Sequence, residues 1–528
     1  MYDLVFKNVV VVDGTGAKGF DGEVAVVGDE IAAIGVDLGE GKRTIDGGGR
    51  VLAPGFIDIH THSDFTLPVD PRGESKVRQG VTTEVLGQCG QSATPLTGED
   101  SLKIAREEMA RAGGDPDVPW RTVAEYATFL EEQGVSPNVA IMIGHGAVRA
   151  SVMGFADRAP TDEEMEGMKD LVRQSLEEGA VGMTTGLYYA PGSYADADEV
   201  AALCEVVREL EGLHSSHIRD ESTYNIGLVA ALEEVLEVAR KSGVRTQISH
   251  LKALGPEVWG KAPELLKMIE DARAEGLDVL ADQYPYVASG SSITGSLIPR
   301  WAQDGGRDAM VARIDDPEIR PKLLDEVRKN LERRGGADRL QIALYPPERS
   351  YEGKRLSEVA ESLDLPPAEA ALELLREAEA SFVCFVMEEE DVDCIMGSDL
   401  VMVGSDGRAV AVDGPTSGGQ PHPRYFGTFP RVLGYYSREK GILSLERAVH
   451  KMTGMPAERL GFSDRGYVRP GYRADLVLFD PDTVRDAATF EDPKQYPVGI
   501  DMVMVNGTMV IEDGEHTGAL PGRILRRA

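Results

Sequence analysis

His60 and His62 stand one residue apart at the end of an apolar run, Phe56-Ile57-Asp58-Ile59-His60-Thr61-His62, behind a Pro54-Gly55 turn. Alternate residues of a strand face the same side, so two imidazoles placed this way can grip one cation. Asp58 shares that side and can orient a ligand from behind. Such a pair also fits a polar surface turn. Four more potential donors favour the metal reading, because Cys89, His217, His250 and Asp406 each close a predicted strand of their own, and His145 stands at the end of another. The chain has nine histidines, and five of them fall at predicted strand ends. Imidazole and thiolate donors together suit Zn2+, and a thiolate can bridge two ions. His217 is preferred to His214 because Arg219 and Glu221 come after it in a polar loop. Asp406, in Gly404-Ser405-Asp406-Gly407, is preferred to Asp399 in the near copy Gly397-Ser398-Asp399. The apolar run Val401–Val403 leads directly into Asp406, whereas Asp399 stands before it.

Eight strands must present these residues: 56–62, 82–89, 139–145, 180–187, 213–217, 245–250, 278–284 and 401–406. Helical stretches lie between most of them, at 163–178, 197–211, 229–241 and 262–275. Alternating β and α units with polar, glycine-marked strand ends predict an α/β protein built on a (β/α)8 TIM-like barrel. The interval from strand seven to strand eight is far longer than an ordinary connection. Residues 289–346, with a charged helix at 317–334, are therefore expected to form an inserted subdomain that covers the barrel mouth. Both ends of the chain read as short strands broken by turns such as Asp13-Gly14, Asn506-Gly507 and Asp513-Gly514. Residues 1–55 and 467–528 are expected to join as one small β domain, with the catalytic barrel at 56–466 between them.

With 528 residues, 42% of them hydrophobic and 27% charged, the chain reads as a globular protein. No apolar run reaches the roughly 20 residues a membrane helix needs. The opening MYDLVFKNVVVV is a strand rather than a signal peptide, which points to the cytoplasm. Cys89, Cys204, Cys384 and Cys394 have no close pairing, so a disulfide framework is not expected. A net charge of -34 argues against nucleic acid or anionic membranes as partners. It also means that any acidic ligand needs cations gathered locally. The sequence is silent on oligomeric state.

PGFIDIHTH, the eight-strand layout and the terminal β segments resemble the amidohydrolase superfamily. GVTTEVLGQCG, GHGAVR, TTGLYYAPG, HIRDE, SHLKALG, VMVGSDG, HPRYFGTFPRVLG and DRGYVRPGYRADLVLFDP narrow the resemblance to the N-acyl-D-amino-acid deacylases, or D-aminoacylases. The similarity keeps its order through nearly the whole chain and is weakest in the insertion. It implies a zinc-dependent enzyme that cleaves the amide of a small N-acyl-D-amino acid. In the family's pattern Cys89, His217 and His250 match a tight zinc site. His60 and His62 match a weaker second site, with Cys89 between the two. Asp406 matches a catalytic acid/base that also faces the metal. Strand four ends in Thr184-Thr185-Gly186, where many related enzymes carry a bridging lysine, which supports Cys89 as the bridge. Lys252, Tyr284 and Arg424 fall where the family holds the substrate α-carboxylate, with Tyr286 as an alternative to Tyr284. Leu251 and Gln88 depart from the family's usual histidine and asparagine without removing a ligand.

Amide hydrolysis needs a nucleophile at neutral pH, a polarised carbonyl and a proton for the leaving amine. Asp406 can move that proton, and His145 can polarise the carbonyl oxygen or serve as a structural turn residue. Arg300, in Ile298-Pro299-Arg300-Trp301, begins the insertion and can reach an acidic substrate side chain. Two alternatives stand beside this reading. One is a hydantoinase- or dihydroorotase-type hydrolase, against which the missing lysine counts. The other is a non-catalytic scaffold on the same fold, against which the complete donor set counts.

Overall fold

The computed structural model describes residues 1–526. Eight parallel strands form the barrel: β1 (Phe56–Asp58), β2 (Val81–Leu86), β3 (Asn138–Gly144), β4 (Gly182–Gly186), β5 (Leu213–His217), β6 (Arg245–Ile248), β7 (Val279–Gln283) and β8 (Val401–Val403). They hydrogen-bond in sequence order from β1 to β8. Strands β2 and β3 are buried along their whole length, as parallel strands covered on both faces must be. Ile57, Val85, Met142, Val181, Leu213 and Met402 come from or border six different strands and pack into one cluster. A larger apolar cluster joins the strands to the surrounding helices. Those helices start at readable caps. Thr161 accepts from the Glu164 amide to open Asp162–Glu177, and Asp196 accepts from the Glu199 amide to open Ala197–Glu209.

The ring closes where β8 meets β1. Thr61 and Gly407 form a parallel bridge; the Asp406 amide donates to His60 O at 2.8 Å, and the His62 amide to Gly407 O at 2.9 Å. Beneath the closure lies a buried ion pair. Lys76 Nζ donates to Asp58 Oδ2 at 2.8 Å and to Ser405 Oγ at 2.5 Å. Asp58 Oδ1 accepts from the amides of Ser405 (2.8 Å) and His60 (3.4 Å). Asp58 therefore orients the backbone of both strand ends rather than an imidazole ring. Lys76→Met leaves the Asp58 carboxylate buried without its cation, and stability falls by about 3–5 kcal/mol. Urea unfolding midpoints of the two proteins measure this; an unchanged midpoint refutes it.

A second sheet draws on both ends of the chain. Leu476–Phe479 runs antiparallel to Val51–Pro54, with Leu476 opposite Pro54 and Phe479 opposite Val51. Strands Leu4–Val11, Phe20–Val27 and Glu30–Gly35 extend it on one side, and Ile500–Val505, Thr508–Glu512 and Glu515–His516 on the other. The chain then leaves this sheet, and Ile524–Leu525 pairs with β3 of the barrel. Between β7 and β8, strands Ser289–Ser292, Ser381–Cys384 and Leu340–Leu344 form a small antiparallel sheet with its own apolar core. The insertion's sheet and core thus run past residue 346, its expected end. Helix Pro367–Glu377 with strand Ser381–Cys384 after it mimics one more barrel unit in sequence, and only the pairing of that strand with Ser289–Ser292 reveals where it belongs.

Candidate metal centre

The C-terminal ends of the barrel strands open into a cavity of about 870 Å³, roofed by the insertion. Several donors converge at its base. Cys89 Sγ lies 3.3 Å from His60 Nε2 and 3.2 Å from His250 Nε2. Asp406 Oδ1 lies 3.0 Å from His62 Nε2 and 3.6 Å from His60 Nε2. The potential ligand atoms of His60, Cys89, His250 and Asp406 fall within 4.8 Å of one another, as do those of His217, Glu221 and His250. Donors bonded to one tetrahedral ion at about 2.0–2.3 Å stand roughly 3.3–3.8 Å apart. The spacing fits. A second observation agrees: both ring nitrogens of His217 are buried without a hydrogen-bond partner, which is costly unless something binds there.

Three of these residues sit on unusual backbone. Cys89 (φ 56°), His250 (φ 34°) and Asp406 (φ 50°) are left-handed although none is glycine. Each comes just after its strand, and the reversed φ turns the side chain toward the centre. Such strain persists only where the surroundings over-determine it.

The electrostatics suit a metal cluster. Burial pushes the Cys89 thiol up, but the charges of His250 and His60 outweigh it and hold the thiol well below its ordinary value. Burial likewise pushes the Asp406 carboxyl up, and Arg424 and His250 hold it well below the usual range. Supporting groups fix the ligands. Asp282 Oδ1 stands 3.2 Å from His60 Nδ1 and accepts from the His250 amide at 2.9 Å. Glu221 Oε1 lies 3.1 Å from His250 Nδ1 and can accept its proton, leaving Nε2 to face Cys89. Sequence reading missed Asp282 and gave Glu221 no role. An acidic residue directly after the apolar run 279–281 of β7 was the available signal for Asp282.

The remaining expectations divide. Arg424 lines the cavity, with Nη1 2.8 Å from Asp406 Oδ2 and its guanidinium 4.7 Å from the Tyr284 ring centroid. Lys252 also lines it, but its ammonium donates to Glu221, which draws it to within 2.7 Å of His250 Nδ1. Tyr284 lines the cavity and Tyr286 does not. His214 is buried beside Thr185 Oγ1 at 3.0 Å, with burial depressing its pKa to about 3. Asp399 is exposed at the surface beside Arg447. His145 is not brought to the cavity: its Nε2 faces Glu199 at 2.9 Å, and Glu199 also holds the buried Arg149. That pairing spends the ring on the turn after β3 and corrects the carbonyl-polarising expectation. Arg300 is also displaced, because its Nη2 donates to Leu187 O and to Arg219 O and it does not line the cavity.

An eight-stranded barrel with a buried imidazole, thiolate and carboxylate cluster at its C-terminal rim defines a metal-dependent barrel hydrolase. The amidohydrolase family model matches residues 43–511. A D-aminoacylase of Alcaligenes xylosoxydans xylosoxydans is 37% identical over 528 residues, covering 100% of this chain and 98% of that one. Two solved structures align over 100% of both chains. One is a D-aminoacylase whose binuclear metal centre is described as showing one-metal activation and second-metal attenuation, at TM-score 0.85 and 36% identity. The other is the N-acyl-D-glutamate deacylase of Bordetella bronchiseptica with zinc and a phosphonate mimic of the tetrahedral intermediate, at TM-score 0.84 and 35% identity. The chain belongs to the amidohydrolase family and, within it, to the N-acyl-D-amino-acid deacylases. Among the described residues, no helix is long and apolar enough to cross a membrane.

Proposed function

We propose that this protein hydrolyses N-acyl-D-amino acids with zinc, releasing a carboxylate and a free D-amino acid. The observation that carries the reading is the convergence of Cys89, His250 and Asp406 beside Arg424 in one cavity, with the donor nitrogen of the buried His60 directly behind them. Cys89, His217 and His250 form the tight zinc position in this reading. His60 and His62 form the weaker one, with Cys89 shared. The rim of β4 carries Thr184, whose hydroxyl donates to Gly87 O, so no lysine competes with Cys89 as the bridge. When bound, zinc lowers the pKa of water to about 7 and polarises a carbonyl oxygen. Asp406 takes the proton of the attacking water and returns it to the departing nitrogen. Arg424, its Nη1 held by Asp406, turns the rest of its fork to the substrate α-carboxylate, with Tyr284 beneath it. Lys252 adds charge on the same side and holds Glu221, which orients His250. His145 supports the turn that carries it.

The barrel at 56–466 is assigned as the catalytic unit, with 1–55 and 467–528 as the small β domain. The protein is placed in the cytoplasm, acting on small molecules rather than on nucleic acid or membranes. Handedness is the sharpest test. Swapping two substituents at the α-carbon moves the amide away from the metal while the carboxylate stays at Arg424, and such misplacement costs about 10²-fold or more. N-acetyl-D-methionine and N-acetyl-D-glutamate are therefore cleaved far faster than their L forms by zinc-loaded enzyme. Equal rates on both enantiomers would sink the reading.

A further inference from the structure

The cavity lining carries eight lysines and arginines against six aspartates and glutamates, in a chain whose net charge is -34. Cations are thus gathered where the substrate binds. Arg334 stands out among them. It comes just after helix Arg320–Arg333 of the insertion, lines the cavity and is 2% exposed. Its Nε donates to Ser296 O at 3.0 Å and its Nη2 to the Tyr188 hydroxyl at 3.1 Å. The guanidinium lies 4.9 Å from the Tyr224 ring centroid, and Nη1 is buried without a hydrogen-bond partner.

Six arginines are buried among the described residues. Arg149, Arg219, Arg424, Arg459 and Arg465 each stand within 4.0 Å of a carboxylate oxygen, and Arg334 has no such partner. A guanidinium cannot shed its proton, so a buried one without a counter-charge is unfavourable, and an anion that pairs with it relieves that cost. The position suits a substrate. Tyr188 stacks on His217 with ring centroids 5.6 Å apart, which puts Arg334 one aromatic ring beyond the metal cluster. Arg424 is bound to Asp406 and lies over Tyr284 instead.

We propose that Arg334 sets specificity by pairing with a second carboxylate of the substrate, distinct from the α-carboxylate at Arg424. The assignment rests on the deacylase reading above. The second carboxylate is borne either by the amino-acid side chain or by the acyl group, and matched substrates separate the two. The first pair is N-acetyl-D-glutamate and N-acetyl-D-glutamine; the second is N-succinyl-D-alanine and N-butyryl-D-alanine. Wild type is expected to favour the charged member of one pair by about 10²-fold or more in kcat/KM, and Arg334→Met to lose that preference. The pair affected identifies the source. Equal rates within both pairs, or a preference that survives Arg334→Met, overturn the assignment. Should Arg334→Met fail to fold, inhibition of wild type decides the matter. D-glutamate against D-glutamine, or succinate against butyrate, must show at least about tenfold tighter inhibition by the more acidic member, and no difference in either comparison refutes it. Turnover of N-acetyl-D-methionine keeps the deacylase reading whatever Arg334 does. No turnover of any N-acyl-D-amino acid rejects that reading and this assignment together.

Discussion

Asp406→Asn lowers kcat by about 10²–10⁴-fold while the tight metal stays bound. The amide matches the carboxylate in shape but cannot accept a proton from water or return one to the leaving nitrogen. Asp406 is suited to that work, because Arg424 and His250 outweigh its burial and keep it ionised at neutral pH. It sits on left-handed backbone whose amide is held by His60 O, so the side chain has one direction to take. The metal is retained because Cys89, His217 and His250 do not depend on it. The variant also leaves Arg424 without its counter-charge, so circular dichroism and a thermal midpoint must accompany the kinetics. Asp399→Asn is the control. Its side chain is 84% exposed and pairs only with Arg447 at the surface, a kind of contact worth about 0–1 kcal/mol. A dead Asp399→Asn enzyme, or a metal-loaded Asp406→Asn enzyme with near-wild-type kcat, rules out the proton-carrier role.

Cys89→Ser loses zinc and, with it, activity by about 10³-fold or more, the equivalent of several kcal/mol of transition-state stabilisation. The sulfur sits between His60 and His250, at 3.3 and 3.2 Å from their Nε2 atoms. Both imidazoles draw the thiol toward thiolate, the form that ligates metal. A serine hydroxyl in the same place stays protonated and is a poor zinc donor. Zinc content by elemental analysis and deacylase rate should fall together, and added zinc should restore only part of either. The competing idea is that the activated thiolate attacks the amide itself. An acyl-thioester trapped on wild type, with zinc stoichiometry intact in Cys89→Ser, would establish that and reject the ligand role.

The eight barrel strands, the strand-end residues and the β character of the two chain ends are legible in the sequence because they are local signals. They come from apolar runs ending in polar, glycine-marked turns, and those depend on residues adjacent in sequence. The preference for Asp406 over Asp399 came from the same logic, since a run of three apolar residues leads into one and away from the other. The residues that sequence reading misplaced share a different property. His145 and Arg300 have the right chemistry at the right kind of position, yet each is spent on a partner distant in sequence. Glu199 takes His145, and the carbonyls of Leu187 and Arg219 take Arg300.

The sequence by itself determined which residue types stand at the strand ends, and hence that a cluster of nitrogen, sulfur and oxygen donors would form at one rim of a barrel. Period and turn chemistry are properties of neighbouring residues, so one chain suffices to read them. Only the tertiary structure decided which donors meet, which buried arginine of the cavity stands without a carboxylate partner, and where the insertion ends. Asp282 reaches His60 across 222 residues, and Arg334 arrives from the insertion to lie one ring from His217. Those outcomes are set by how strands close into a ring and by which buried charge finds a partner, and both are decided by contacts between segments far apart in the chain.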